Sequence, residues 1–170
     1  MGPDNWEFER FPLPPSFAPP ITYKGAEELR FAPGMFNKDS ANYFSYAFVA
    51  ELENVTGLTK ADIQKYLLDY YKGLCFVTAR DRKLEVDTSQ IRVTLDEPKE
   101  NDRVYPANLN IFGVFADGAP VKLLGEVKLL EDEGHPRTYL VIIVSTKSKE
   151  DPIWKKLHEI QTSFKIPPHH

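Results

Sequence analysis

The run Tyr139-Leu140-Val141-Ile142-Ile143-Val144 is apolar at every position. It is short for a helix, and its β-branched content suits a strand. A strand points successive side chains to opposite faces of its sheet. An unbroken apolar run therefore needs cover on both faces. Any fold of this chain must pack something above and below that strand.

Two amphipathic helices can supply the cover. Thr59 suits an N-cap, with Asp62 at the N3 position, close to a capping box. Behind it Ile63, Tyr66, Leu67, Tyr70, Tyr71 and Leu74 recur at helical spacing, with Lys60, Gln64, Lys65, Asp69 and Lys72 opposite. Gly73 suits the left-handed position that ends a helix, which predicts a stop there and a short strand over 74–79. Near the other end, Asp151-Pro152 reads as a helix start. Ile153, Trp154, Leu157, Ile160 and Phe164 form a buried stripe, and Pro167-Pro168 forbids continuation.

The rest reads as strands. Residues 28–32 form a short one before the Pro33-Gly34 turn, and residues 43–52 alternate strongly, with Phe44, Tyr46, Phe48, Ala50 and Leu52 on one face. Residues 91–95 alternate as well, and 101–106 read as a loop. Segments 109–115 and 121–130 flank the turn signal Asp117-Gly118, and 139–144 follows after a short link. Three consecutive strands joined by short turns make an antiparallel meander. Strands and helices do not alternate, which argues against a parallel doubly wound sheet. The expected fold is α+β: an antiparallel sheet of about five to seven strands packed by two main helices.

Seven of the 14 prolines fall in the first 33 residues, which excludes regular helix or central strand there. Trp6, Phe8, Phe11, Phe17, Ile21 and Tyr23 are interleaved with them. Leaving such groups in water costs roughly 1.5–3 kcal/mol each. The expectation is an extended arm over 1–27 that straps across a body of 28–168 and buries those side chains. Proline lowers the entropy lost on fixing it.

A length of 170 residues suits one domain. With 21 basic and 25 acidic residues interspersed, net charge −4, no basic stripe exists for a phosphate backbone, so no nucleic-acid partner is expected. No apolar run approaches a membrane span. Cys75 is the single cysteine, so neither an intramolecular disulfide nor a cysteine-based zinc site is available. The N-terminus has no signal-peptide pattern. Met1-Gly2 either begins the native chain, which implies the cytoplasm, or follows a removed leader, which implies a periplasmic or extracytoplasmic site. His169 and His170, native or left from a tag, are set aside.

Catalytic signatures are missing. Neither phosphate-loop pattern and no G-x-S-x-G elbow occurs, and no H-x-x-x-H spacing supports a zinc hydrolase. No catalytic residue, metal or cofactor is assigned. His135 reads as a solvated turn residue, His158 as the edge of the last helix, and Cys75 as a buried inert thiol. Asp132 and Glu133 read as a solvated hairpin tip; the alternative is that Glu131 joins them in cation binding, although EF-hand spacing is absent. Two groups are binding candidates. Glu27 and Glu28 near Arg30 are either an ion pair fixing the arm or a wall of a ligand groove. Tyr43, Tyr46, Tyr66, Tyr70 and Tyr71 either pack the core with hydroxyls at its rim or line a pocket.

Phe11-Pro12-Leu13-Pro14, Phe17-Ala18-Pro19, Tyr23-Lys24-Gly25, Glu27 to Gly34, Tyr43-Phe44-Ser45-Tyr46 and the closing Ile153-Trp154…Leu157…Ile160…Ser163-Phe164 together resemble a group of uncharacterised bacterial proteins. That group implies no catalytic residue and is often found with a leader. More remotely, the element order and the final helix are similar to the PsbP and Mog1 fold, an antiparallel sheet between helices, whose members are mostly binding or assembly factors. The expected function is a non-catalytic binding or assembly module for a protein or small ligand, exported if a leader was removed. The alternatives are an enzyme with a site near Glu27, Glu28 and Arg30, and a small-ligand carrier with a tyrosine-lined cavity.

Overall fold

In the computed structural model, which describes residues 3–99 and 102–169, the Tyr139–Val144 run lies at the centre of a sheet. The elements are β1 (Glu7–Leu13), β2 (Gly25–Phe31), β3 (Tyr46–Glu53), α1 (Lys60–Asp81), a 3-10 turn (Thr88–Gln90), β4 (Arg92–Leu95), β5 (Val104–Phe112), β6 (Pro120–Glu131), β7 (Arg137–Ser145) and α2 (Ile153–Ser163). The seven strands described form one antiparallel sheet in the order β1-β2-β3-β7-β6-β5-β4. It is two meanders joined where β3 pairs with β7, Phe48 opposite Ile142 and Ala50 opposite Leu140. Helix α1 carries the chain from central β3 to β4 at the far edge. The fold is α+β, as expected.

Each helix covers one face. Tyr46, Phe48, Ala50 and Leu52 of β3 and Leu140, Ile142 and Val144 of β7 pack with Ile63, Tyr66, Leu67, Tyr70 and Tyr71 of α1. On the other face Ala47 and Ile143 meet Ile153, Trp154, Leu157 and Ile160 of α2, joined by Trp6 and Ala32. Val49, Tyr139 and Val141 are covered by Phe164 and Ile166 beyond α2. The run at 139–144 is nowhere more than 2% exposed.

The capping box at Thr59 is formed: the Thr59 hydroxyl accepts from the Asp62 amide at 3.2 Å, and Asp62 accepts from the Thr59 amide at 2.9 Å. The expected stop at Gly73 is not there. Helix α1 continues through 74–79, which is helix instead of the expected strand, to Asp81. Gly73 serves packing: a Cβ on it would lie 2.2 Å from the Phe17 carbonyl oxygen, so the glycine lets the N-terminal segment cross the helix. The left-handed exit falls to Lys83, φ +57°.

Strand β3 starts at Tyr46 and not at 43. Phe44 takes φ +56°, and its amide donates to the Met35 carbonyl at 2.9 Å, which turns the chain before the sheet. Strand β5 begins at Val104, inside the expected loop, whose Asn101 lies outside the described residues. Pro106 sits where the β4 ladder ends: its carbonyl accepts from the Asp96 amide at 2.8 Å, and proline has no N–H to return a bond.

The arm divides in two. Residues 7–13 are edge strand β1, paired to β2 from Glu7–Phe31 to Leu13–Gly25. Prolines are compatible with that rim position. Residues 14–24 then cross α1. Trp6 and Ile21 are buried, and Phe11, Phe17 and Tyr23 are half-buried. Phe8, expected inside, is 55% exposed. Strand alternation turns it away from α1, where the Arg30 guanidinium lies 3.9 Å from its ring centroid.

Candidate functional site

Strand β2 sorts the charged candidates by its two-residue period. Glu27 and Leu29 face α1, and Glu28 and Arg30 face the opposite side. Glu28 is ion-paired with Arg10, its partner across the β1–β2 ladder. Arg30 covers Phe8 and donates to the Leu29 carbonyl at 3.1 Å. The trio expected as one wall is therefore divided between two faces.

Glu27 is the unusual member. Its side chain is 0% exposed, and neither carboxylate oxygen has a hydrogen-bond partner among the described residues. Burial pushes its pKa well above the usual carboxylate range, and the Glu9 carboxylate adds to the push. Its neighbours across the sheet are Phe11 and Ala50. Over it lies the tyrosine face of α1. Tyr46, Tyr66, Tyr70 and Tyr71 all have phenols pushed upward, first by burial and then with a contribution from Glu27. The Tyr46 and Tyr71 hydroxyls are 2.6 Å apart. The Tyr66 hydroxyl is buried without a partner, like Glu27. Tyr70 stacks on Phe48 at 5.3 Å and meets the edge of Phe17 at 5.2 Å.

Beside this cluster is a pocket of about 270 Å³ lined by Glu9, Phe11, Phe17, Leu29, Phe31, Met35, Phe36, Tyr46, Tyr70, Leu74 and Phe115. Its floor is Phe31 and Leu29 of β2 below Leu74 and Tyr70 of α1. The next residues in those two rows are Glu27 and Tyr66, the pair with unpartnered polar atoms. Glu27 does not itself line the pocket; it lies one strand step along β2 beyond Leu29, under the tyrosine face of α1. The arm supplies Phe11 and Phe17 to the wall, 6.0 Å apart edge to face. A larger, shallower cleft of about 470 Å³ by Phe76, Arg80 and Val86 holds no buried ionisable group.

The structure thus brings Glu27, Tyr46, Tyr66 and Tyr70 together. Tyr43 lies elsewhere, its buried and unpartnered hydroxyl beneath the β5–β6 loop at Gly113, where burial and then Asp117 raise its pKa. Sequence reasoning missed Glu9, Phe36 and Phe115. Phe36 and Phe115 meet at 5.0 Å from distant parts of the chain, a proximity without a local signal. His158 sits at the α2 rim as expected, 2.6 Å from Glu126. Among the described residues, no helix is long and apolar enough to cross a membrane. No family model matches this chain, and comparison with curated proteins and with solved structures gives no match either.

Proposed function

We propose that this chain is a binding module that holds a small molecule with an aromatic or alkyl body and a protonated amine in the pocket between β2 and α1. The carrying observation is Glu27, a fully buried carboxylate with no hydrogen-bond partner among the described residues, one strand step beyond Leu29 of the aromatic pocket. A buried charge lacking a counter-charge costs stability, so a site that retains one is a functional candidate. An ammonium group supplies the missing charge and donors, and the surrounding tyrosine rings favour a cation at their faces. The apolar body takes the place of water along Phe17, Leu29, Phe31 and Tyr70. Tyr66 offers a second polar contact beside Glu27.

The division of Glu27 from Glu28 and Arg30 favours this carrier reading over an enzyme that uses all three. Kinship with the PsbP and Mog1 fold, and with it an exported assembly role, is retained as part of the proposal. Its support is the antiparallel sheet with a helix on each face. The test is calorimetric titration with three matched probes: 2-phenylethylamine, 2-phenylethanol and 3-phenylpropionate. The proposal expects the amine to bind best and the carboxylate worst, with the order flattened by Glu27→Gln. Equal binding of amine and carboxylate, or no binding of any probe at millimolar concentration, contradicts it.

A further inference from the structure

A second constellation lies at the opposite end of the sheet, in the turn between β6 and β7. Asp132 anchors that turn: its Oδ1 accepts from the Gly134 amide at 2.9 Å, and its own amide donates to the Arg137 carbonyl at 3.0 Å. The Arg137 amide donates to the His135 carbonyl at 2.7 Å, which fixes His135 on the same turn. The segment after α2 returns here. Phe164 packs against Tyr139 at 5.6 Å, and Ile166 joins the Val49–Val141 cluster. The stiff Pro167-Pro168 pair then delivers His169 beside His135, with ring centroids 3.6 Å apart.

Three donor atoms converge. The Asp132 side chain is only 8% exposed, and the partner of its Oδ2 is the His169 imidazole. That oxygen lies 2.5 Å from His169 Nε2 and 4.0 Å from His135 Nδ1. One ligand atom from each of the three residues falls within 4.8 Å of the other two. In a tetrahedral zinc site, bonds of about 2.0–2.2 Å hold donors roughly 3.3–3.5 Å apart. The observed separations bracket that spacing, so a small rotation of the two exposed rings completes it. The acidic tip does not compete as a calcium site. Glu131 is committed to the Gly57 amide at 2.8 Å and to Arg103 at 3.5 Å, and the exposed Glu133 does not belong to the converging group, which leaves one carboxylate and two imidazoles. That donor set suits a borderline first-row ion, and hard cations prefer more oxygens.

We propose that Asp132, His135 and His169 form a three-ligand site for a divalent transition-metal ion, Zn²⁺ foremost, which clamps the C-terminal segment onto the β6–β7 turn. Water completes the coordination. The site stands apart from the aromatic pocket and does not depend on it.

His169, set aside on sequence alone, enters because the fold brings it to Asp132, so the test uses the chain ending at His170 with nothing appended, treated with chelator and dialysed. Zn²⁺ is titrated by calorimetry, and Co²⁺ is titrated for the visible absorption of tetrahedral coordination. The expected result is one equivalent bound, with Tm raised by several degrees when Zn²⁺ is about a hundredfold above its Kd. Mg²⁺ and Ca²⁺ leave Tm unchanged. His135→Ala and His169→Ala each abolish the Zn²⁺ shift and the Co²⁺ band, and His158→Ala keeps both. Absence of a Zn²⁺ shift in the wild-type chain overturns the proposal, as does a shift that survives both His135→Ala and His169→Ala.

Discussion

Gly73 of α1 and Phe17 of the N-terminal arm are in backbone contact: a Cβ on Gly73 would stand 2.2 Å from the Phe17 carbonyl oxygen and 2.9 Å from its carbonyl carbon. In an open helix interior, Gly→Ala stabilises by roughly 1 kcal/mol. Here the atoms in the way are backbone and cannot rotate aside. Gly73→Ala is therefore expected to destabilise, by about 1–3 kcal/mol in urea melts. A stabilised variant would mean that the arm does not lie on the helix.

The 2.6 Å contact between the Tyr46 and Tyr71 hydroxyls is fully buried. Removing one hydroxyl leaves the other without a partner in a dry site, a cost of about 1–3 kcal/mol. Tyr46→Phe and Tyr71→Phe are each expected to fall in that range. The double variant removes both polar groups and is expected to cost clearly less than the sum. Additive losses in equilibrium unfolding would contradict the pairing.

Glu126 on β6 faces α2, where it meets Lys149 at 2.5 Å and His158 at 2.6 Å. Burial pushes its pKa up, but the hydrogen bonds from Lys149 and His158 outweigh that and hold it below the usual range. A depressed carboxylate contributes stability above its unfolded pKa and loses it as pH falls through the folded one. With both partners well exposed, the contribution is about 0.5–1 kcal/mol. Glu126→Gln is expected to lower stability by that amount at pH 7 and to match wild type near pH 3. Chemical melts at the two pH values measure the difference.

The elements were readable where local chemistry repeats. The Thr59–Asp62 cap, the α1 and α2 stripes and the Tyr139–Val144 run each carry a period or a cap and lie where the pattern places them, except that Leu74 is only half-buried and Phe164 falls beyond α2. Gly73 misled because a glycine that admits a crossing segment looks the same in sequence as one that ends a helix. Phe44 hid its left-handed turn behind an alternating pattern. Within the site, Glu27 and the α1 tyrosines were visible as residue types, but their sides were not. The two-residue period of β2 parts Glu27 from Glu28 and Arg30, and its phase is set by pairing with β1 and β3. Phe36 and Phe115 join the pocket through tertiary packing alone.

Glu27 is a buried carboxylate with no counter-charge or hydrogen-bond partner among the described residues. Its raised pKa means that the folded chain keeps a proton the unfolded chain has lost. Stability must then fall as pH rises above the unfolded value of about 4.3 towards the folded one. Glu27→Leu keeps the volume and removes the charge. The most direct measurement is unfolding free energy of wild type and Glu27→Leu from pH 4 to pH 8, without ligand. A modest leucine advantage is expected already at pH 4, where the neutral carboxyl is buried without a partner, and it should grow by about 1–3 kcal/mol towards pH 8. A variant that is less stable at pH 8, or an offset that does not change with pH, would show that Glu27 has a partner in the folded chain and is no vacant anchor for a cation.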